Sequence, residues 1–351
     1  MKQGYFHRVH KETPTRLWIN NPSDSDMEKA LAAGAVNCTT NPSYCSKLLQ
    51  SEPAYIKAVI RDTVRAHPNL STDALAIEVI KTVSKRILDR FYPLYQSSKG
   101  KEGYVTIQDD PRKDYNAEHT VKIHLEFAKL GKNFMAKIPV IAGGCEAIEE
   151  LVARNIPVCA TEIFSIAQAL EICERYQRAS KKSGNHPSFY VTHITGIFDQ
   201  YFAEVVKNEK IPIDPTVLSQ AGTIIARKEY QILKERKLPG TLLGGGARNL
   251  SHFTEFVGGD FHITINWSTA EELIHKDPPV ENRIDRPTPK EVVEELSAKL
   301  PGFRRAYEED GMKLEEFADF GPVMLFKTMF LNGYIRLLDE IAETRLRKKG
   351  E

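Results

Sequence analysis

FMAKIPVIAGGCEAIEELVARNIPVCAT, residues 134–161, reads as a strand, a helix and a second strand. Phe134–Ile138 and Val158–Thr161 are short apolar β-type runs. Between them, after the Gly143-Gly144 turn, Ile148, Leu151 and Val152 recur at helical spacing. The same alternation runs outward in both directions. LWIN (17–20), AVNCTT (35–40), YVTIQ (104–108), FYVTHI (189–194), TLL (241–243) and HITI (262–265) bring the β runs to eight. Helical patterns fill the gaps, such as Thr120, Ile123, Phe127 and Leu130 within 116–131. Eight β units, each followed by a helix, predict a closed parallel (β/α)8 barrel of the α/β class. An open doubly wound sheet would want a glycine-rich phosphate turn after its first strand, and Asn21-Pro22-Ser23 is not one.

At 351 residues the chain fits one such barrel with additions. We expect a single domain over 1–351, with the barrel at about 16–276 and a C-terminal helical extension at about 288–347. Residues 52–95 predict two helices in series, the second capped by Ser71 or Thr72, with Ala76, Ile80, Val83, Ile87 and Phe91 on one face. Proline-rich 276–289 predicts an exposed loop; 289–300 and 313–347 predict terminal helices, and LRKKGE (346–351) a solvated basic end.

Basic and acidic residues number 48 and 47, a net charge of +1, so no long-range field draws in a nucleic-acid backbone. Five cysteines without a CxxC pair read as reduced, buried thiols. No apolar run reaches the roughly 18 residues of a membrane span, and the first residues have no apolar signal-peptide core. These features predict a soluble cytoplasmic protein without nucleic-acid or membrane partners; a homodimer is left open. No metal-ligand pattern or cofactor motif stands out.

In a barrel of this kind, functional groups gather at the C-terminal strand ends. Those ends carry Asn20, Thr39 to Ser43, Gln108, Lys137, Thr161, Thr192, Arg248 and Asn266. Lys137 is the outlier, inside an apolar strand with no acidic residue within five positions. Burial disfavours its ammonium form, and a free amine can attack a carbonyl to form a Schiff base. A lysine snorkelling to the strand end would look the same locally.

Five segments in order resemble the transaldolase family of Schiff-base-forming class I aldolases. AGAVNCTTNPSYC (33–45) is similar to its G-V-T-T-N-P-S element, and GYVTIQDDPR (103–112) to G-Y-V-S-x-E-V-D-P-R. Residues 134–170 resemble its Schiff-base strand, the following helix and the next strand. LLGGGARNLSHF (242–253) resembles G-A-S-F-R-N-I, and 303–320 a C-terminal segment of the family. The resemblance implies that Lys137 attacks the keto group of a sugar, that a carbon–carbon bond breaks to an enamine, and that an aldehyde takes the three-carbon unit. It implies that Thr161 holds a catalytic water, that Asn41 and Thr106 bind donor hydroxyls, that Thr40, Cys159 and Thr192 belong to the same substrate-binding set, and that Arg248 binds a phosphate. The implied partner is a small-molecule sugar. Asn-Pro-Ser is also good turn chemistry, so Asn41 has a purely structural reading beside this one.

The departures are specific. The family's strand-one aspartate falls on Asn20 and its strand-three glutamate on Gln108, both amides that accept no proton at neutral pH. Its asparagine before the water-binding threonine falls on Cys159, its strand-six arginine on Ile197 and a phosphate-binding serine on Gly246. Glu162 should face away from Thr161 if strand alternation holds, and inward only if the strand has ended. His193 beside Thr192 follows the same logic, and Asp109 would need a one-residue slip. Two functions stay open: an active transaldolase-like enzyme with altered substrate preference, or a protein of that fold that binds a sugar or carbonyl metabolite without turnover. An ordinary transaldolase of the pentose phosphate pathway fits the resemblance but not the changed residues.

Overall fold

Eight parallel strands close into one barrel in chain order: β1 (Arg16–Asn20), β2 (Asn37–Thr39), β3 (Val105–Ile107), β4 (Phe134–Pro139), β5 (Val158–Ile163), β6 (Phe189–His193), β7 (Thr241–Gly244) and β8 (Phe261–Ile265). The structure, a computed structural model, describes residues 4–350, without the side chains of 348–350. Each expected strand is present within two residues of its predicted ends, and pairing of β1 with β8 excludes the open sheet. Strand side chains alternate between two environments. Trp18, Met135, Cys159, Tyr190 and Leu243 point inward and plug the barrel floor, with Trp18 edge-on to Tyr190 at 4.7 Å. Ile138, Ala160, Val191 and Leu242 face the surrounding helices and join the main core. In β4 the same alternation puts Lys137 one inward step above Met135.

Three differences from expectation bear on the site. The two helices expected over 52–95 are Pro53–Ala66 and Thr72–Ser97, the second capped by the Ser71 side chain, and an unexpected helix, Tyr44–Ser51, precedes them. Gly143 and Gly144 are not a turn but the first turn of the helix Ala142–Ala153. They permit close approach: a Cβ on Gly144 would lie 1.9 Å from the Pro139 carbonyl oxygen, and one on Gly143 2.3 Å from that of Tyr115. Lastly, a 3-10 turn (Leu314–Asp319) leads into one long helix, Gly321–Gly350. Phe326, Phe330, Tyr334, Leu337 and Ile341 are buried along that helix, which packs against Tyr44–Ser51, Pro53–Ala66 and Thr72–Ser97. The 276–289 stretch is irregular as expected, but Ile284 anchors it in the core. Of the expected basic end, Lys348 onward lies outside the described side chains; Leu346 and Arg347 are exposed. All five cysteines are free and buried. Among the described residues, no helix is long and apolar enough to cross a membrane.

Candidate active site

A cleft of about 150 Å³ opens at the C-terminal end of the barrel, with Lys137 among its lining residues. The lysine side chain is 5% exposed, and its Nζ donates to the Thr40 carbonyl at 3.3 Å. Among the described residues, no carboxylate is bonded to it and none lines the cleft. The Phe330 ring of the C-terminal helix lies 5.9 Å from Nζ, and with Phe326 and Met329 it covers the mouth. Burial therefore pushes the Lys137 pKa down, opposed by the negative charge that Cys159, Glu162 and Cys38 would carry if ionised. Burial raises both neighbouring thiols, so Cys38 and Cys159 stay neutral. The result is a lysine whose uncharged, nucleophilic form is more accessible than in a solvent-exposed lysine, in a small cleft of mixed polar and apolar lining, and a free amine there can add to a carbonyl.

The cleft brings together Asn20, Asn41, Lys137, Thr192 and Arg248 of the expected residues. Asn20 sits in a network: its Oδ1 accepts from Thr39 Oγ1 at 3.0 Å, and its Nδ2 donates to Asn266 Oδ1 at 3.1 Å. Asn41 has the turn role expected of Asn-Pro-Ser, its Oδ1 accepting from the Ser43 amide, and also lines the cleft. Thr40, Thr106, Cys159, Thr161 and Gln108 are buried and are not among the lining residues. Thr40 donates its hydroxyl to the Thr106 carbonyl at 2.7 Å, while the Thr106 hydroxyl accepts from the Thr40 amide at 3.2 Å. That lock fixes the carbonyl that Lys137 uses, so Thr106 holds backbone rather than lining the cleft. Cys159 Sγ is 3.1 Å from the Thr192 hydroxyl.

Glu162 is turned inward. Ala160 pairs with Val191 but Ile163 with His193, so β5 has one residue more than β6 between the two pairs. Such a bulge breaks strand alternation, and here Glu162 adopts a left-handed φ of 59°. The buried Gln168 side chain clamps the bulge, donating to the carbonyls of Glu162 (3.0 Å) and Val140 (2.9 Å) and accepting from the Phe164 amide (2.9 Å). Glu162 is 1% exposed and accepts from Gln108 Nε2 at 3.0 Å. Burial raises its pKa to about 7, against the lowering effects of Gln108, Lys137 and Lys327.

The other two replacement candidates lie elsewhere. His193 Nδ1 pairs with Glu229 at 3.1 Å in a fully buried contact outside the cleft lining. Asp109 is held by His119 at 2.7 Å. Ile197, expected to face a phosphate, is instead buried in the core beside Gly246; Ile194 takes the apolar place in the cleft wall. Arg248 sits exposed at the rim, its Nε donating to Gln200 (3.1 Å) and its Nη1 to the carbonyls of Gly246 and Ala247. Phe326, Met329 and Phe330 went unrecognised in the sequence, because nothing local to 321–350 says which face of a long helix meets the barrel mouth. In a groove elsewhere, of about 290 Å³ and lined by Lys57, Arg61 and Thr344, the lysine is exposed rather than buried.

Residues 17–318 match the family model described as Transaldolase/Fructose-6-phosphate aldolase. A transaldolase of Thiobacillus denitrificans is 26% identical over 333 residues, covering 87% of this chain and 88% of its own. Transaldolases of Mycobacterium tuberculosis and Neisseria gonorrhoeae are 26% and 25% identical over shorter stretches. The first covers 57% of this chain and 55% of its own, the second 55% and 59%.

Proposed function

The chain belongs to the Transaldolase/Fructose-6-phosphate aldolase family, and from that premise we propose that it cleaves or transfers a dihydroxyacetone-type unit of a ketose through an imine on Lys137. The observation that carries this reading is the lysine itself: inward on β4, 5% exposed, free of any bonded carboxylate and lining a covered cleft. A neutral amine adds to the keto carbon, and the protonated imine then draws the electrons of the breaking carbon–carbon bond. Asn20, Asn41 and Thr192 offer donors and acceptors for sugar hydroxyls around it. Incubation with a panel of ketoses and sodium borohydride should add one substrate mass on the peptide containing Lys137. An adduct that survives Lys137→Ala, or none with any ketose, contradicts the reading.

A second reading, binding without turnover, draws support from the amides. Neither Asn20 nor Gln108 can take a proton at neutral pH. If Asn20 limits the rate, Asn20→Asp raises aldol cleavage about tenfold or more, since a positioned base contributes about 10²–10⁴. The new carboxylate keeps the Thr39 hydrogen bond, and its charge also raises the Lys137 pKa, which makes the gain partial. Unchanged cleavage alongside continued trapping on Lys137 shows that proton transfer at position 20 is not the bottleneck.

Substrate charge is a separate expectation. A phosphate held by several charge-assisted hydrogen bonds gains roughly 1.5–3 kcal/mol from each. With Ile197 in the core and Gly246 lacking a side chain, Arg248 alone remains of the three expected partners, already engaged with Gln200. The preference in kcat/KM for a ketose phosphate over its unphosphorylated partner should stay below about 10³-fold, roughly 4 kcal/mol. A larger ratio would mean that other basic groups build a phosphate site.

A further inference from the structure

We propose that Glu162 exchanges the protons needed to make and break the imine on Lys137, a carboxylate supplied from strand five where strand three offers only Gln108. The inference rests on the reading of Lys137 as the imine-forming residue.

Three features of the bulge support it. Glu162 meets Gln108 through the hydrogen bond at 3.0 Å, placed there by an extra residue in β5, in a left-handed backbone conformation that a glutamate adopts only under constraint. A buried glutamine, Gln168, spends three hydrogen bonds holding that geometry. Two polar atoms, Oε1 of the Gln108 amide that bonds the carboxylate and Oγ1 of the preceding residue Thr161, are buried with no partner among the described residues, both on side chains less than a tenth exposed. Unpaired buried polar atoms are costly, and these two are suited to bind the water that an imine-forming lysine releases and consumes.

The charged and titratable groups around Glu162 come from every element packed on it. Lys137 faces it from β4, Asp114 from the segment after β3, and Lys327 from the C-terminal helix, 3.9 Å from Asp114. Burial and the negative charge of Glu162 push the Asp114 carboxyl up as well, while Asp109 and Asp110 lie behind it. With a pKa near 7, Glu162 can both hold and release a proton at neutral pH.

Protons balance as follows. Lys137 Nζ adds to the keto carbon as the carbonyl π pair moves to oxygen. That oxygen takes one proton and nitrogen gives one up, leaving Glu162 unchanged. Protonated Glu162 then supplies a proton to the departing hydroxyl. The carbon–oxygen bond breaks, water leaves, and the nitrogen pair closes the protonated imine beside a Glu162 carboxylate. Hydrolysis of the product imine runs the same steps backwards.

The test measures the rate of borohydride trapping on Lys137 between pH 5.5 and 9 for the wild type and two variants. Glu162→Gln should slow adduct formation by about 10²–10⁴ and remove an inflection near pH 7, while long incubation still labels Lys137. The double variant Gln108→Glu/Glu162→Gln returns one carboxylate to strand three and should recover most of the rate. Trapping by Glu162→Gln at the wild-type rate and with the wild-type profile overturns the proposal and leaves the Lys137 reading intact. A folded Glu162→Gln that is slow, with no recovery in the folded double variant, also overturns it, because the carboxylate would then be serving the bulge rather than the proton. Should Glu162→Gln not fold, recovery of rate and of the pH 7 inflection in the double variant decides for the proposal, and its absence against. A wild type that never labels Lys137 removes the underlying reading instead.

Discussion

Replacing Lys137 by methionine should abolish borohydride trapping and lower turnover by about 10⁵-fold or more, on the scale seen when other covalent enzymes lose their nucleophile. The fold should not suffer. Methionine keeps the volume of the lysine stem against Phe330 and needs no partner for a buried charge. The sign of the stability change depends on pH in a defined way. Burial lowers the Lys137 pKa below its ordinary 10.5, so between the two values the unfolded chain binds more protons than the folded one. Wild-type stability therefore rises with pH across that window. Lys137→Met lacks this slope. Its advantage is greatest below the lowered pKa, shrinks as pH rises, and is gone above about 10.5. Urea titrations at three pH values would show it; an advantage that grows with pH would mean the ammonium is stabilised where it sits.

The largest loss of stability from a single methyl group is expected at Gly144. A Cβ there would sit 1.9 Å from the Pro139 carbonyl oxygen, a backbone atom that cannot swing aside as the end of a flexible side chain could. Gly144→Ala must push the start of helix Ala142–Ala153 away from the end of β4, two residues beyond Lys137. We expect a cost of about 3 kcal/mol or more, at the upper end of overpacking. Trapping on Lys137 should slow as well, because the strand end moves. Gly184→Ala is the control: its φ of 76° favours glycine, but no atom lies within 4 Å of the added Cβ. That change should cost only about 1 kcal/mol. Similar urea midpoints for the two variants would refute the close-approach argument.

Strand and helix periodicity made the barrel legible because its β runs are short, apolar and regularly separated by helical patterns. Lys137 was legible for the same reason, as one charge in a run with no local partner. Positions 143 and 144 were misread because paired glycines mark turns and close helix–strand contacts alike, and only the Pro139 and Tyr115 carbonyls distinguish the two. The direction of Glu162 is not legible from alternation, which fails at a bulge, and the bulge depends on Gln168 six residues later and on the β6 register. Ile197 was placed at a phosphate from its column in a motif. Its side chain answers to the helix Thr195–Glu209, which turns it into the core.

The helix that carries Phe326, Met329 and Phe330 follows all eight strands in the chain. All eight strands are therefore synthesised before the segment that lines their open end. That late segment brings the Phe330 ring to 5.9 Å from Nζ, so part of the burial that lowers the lysine pKa is contributed by residues nearly two hundred positions later in the chain. A truncation that removes the helix would leave β4 and its lysine in place while stripping away this part of its environment.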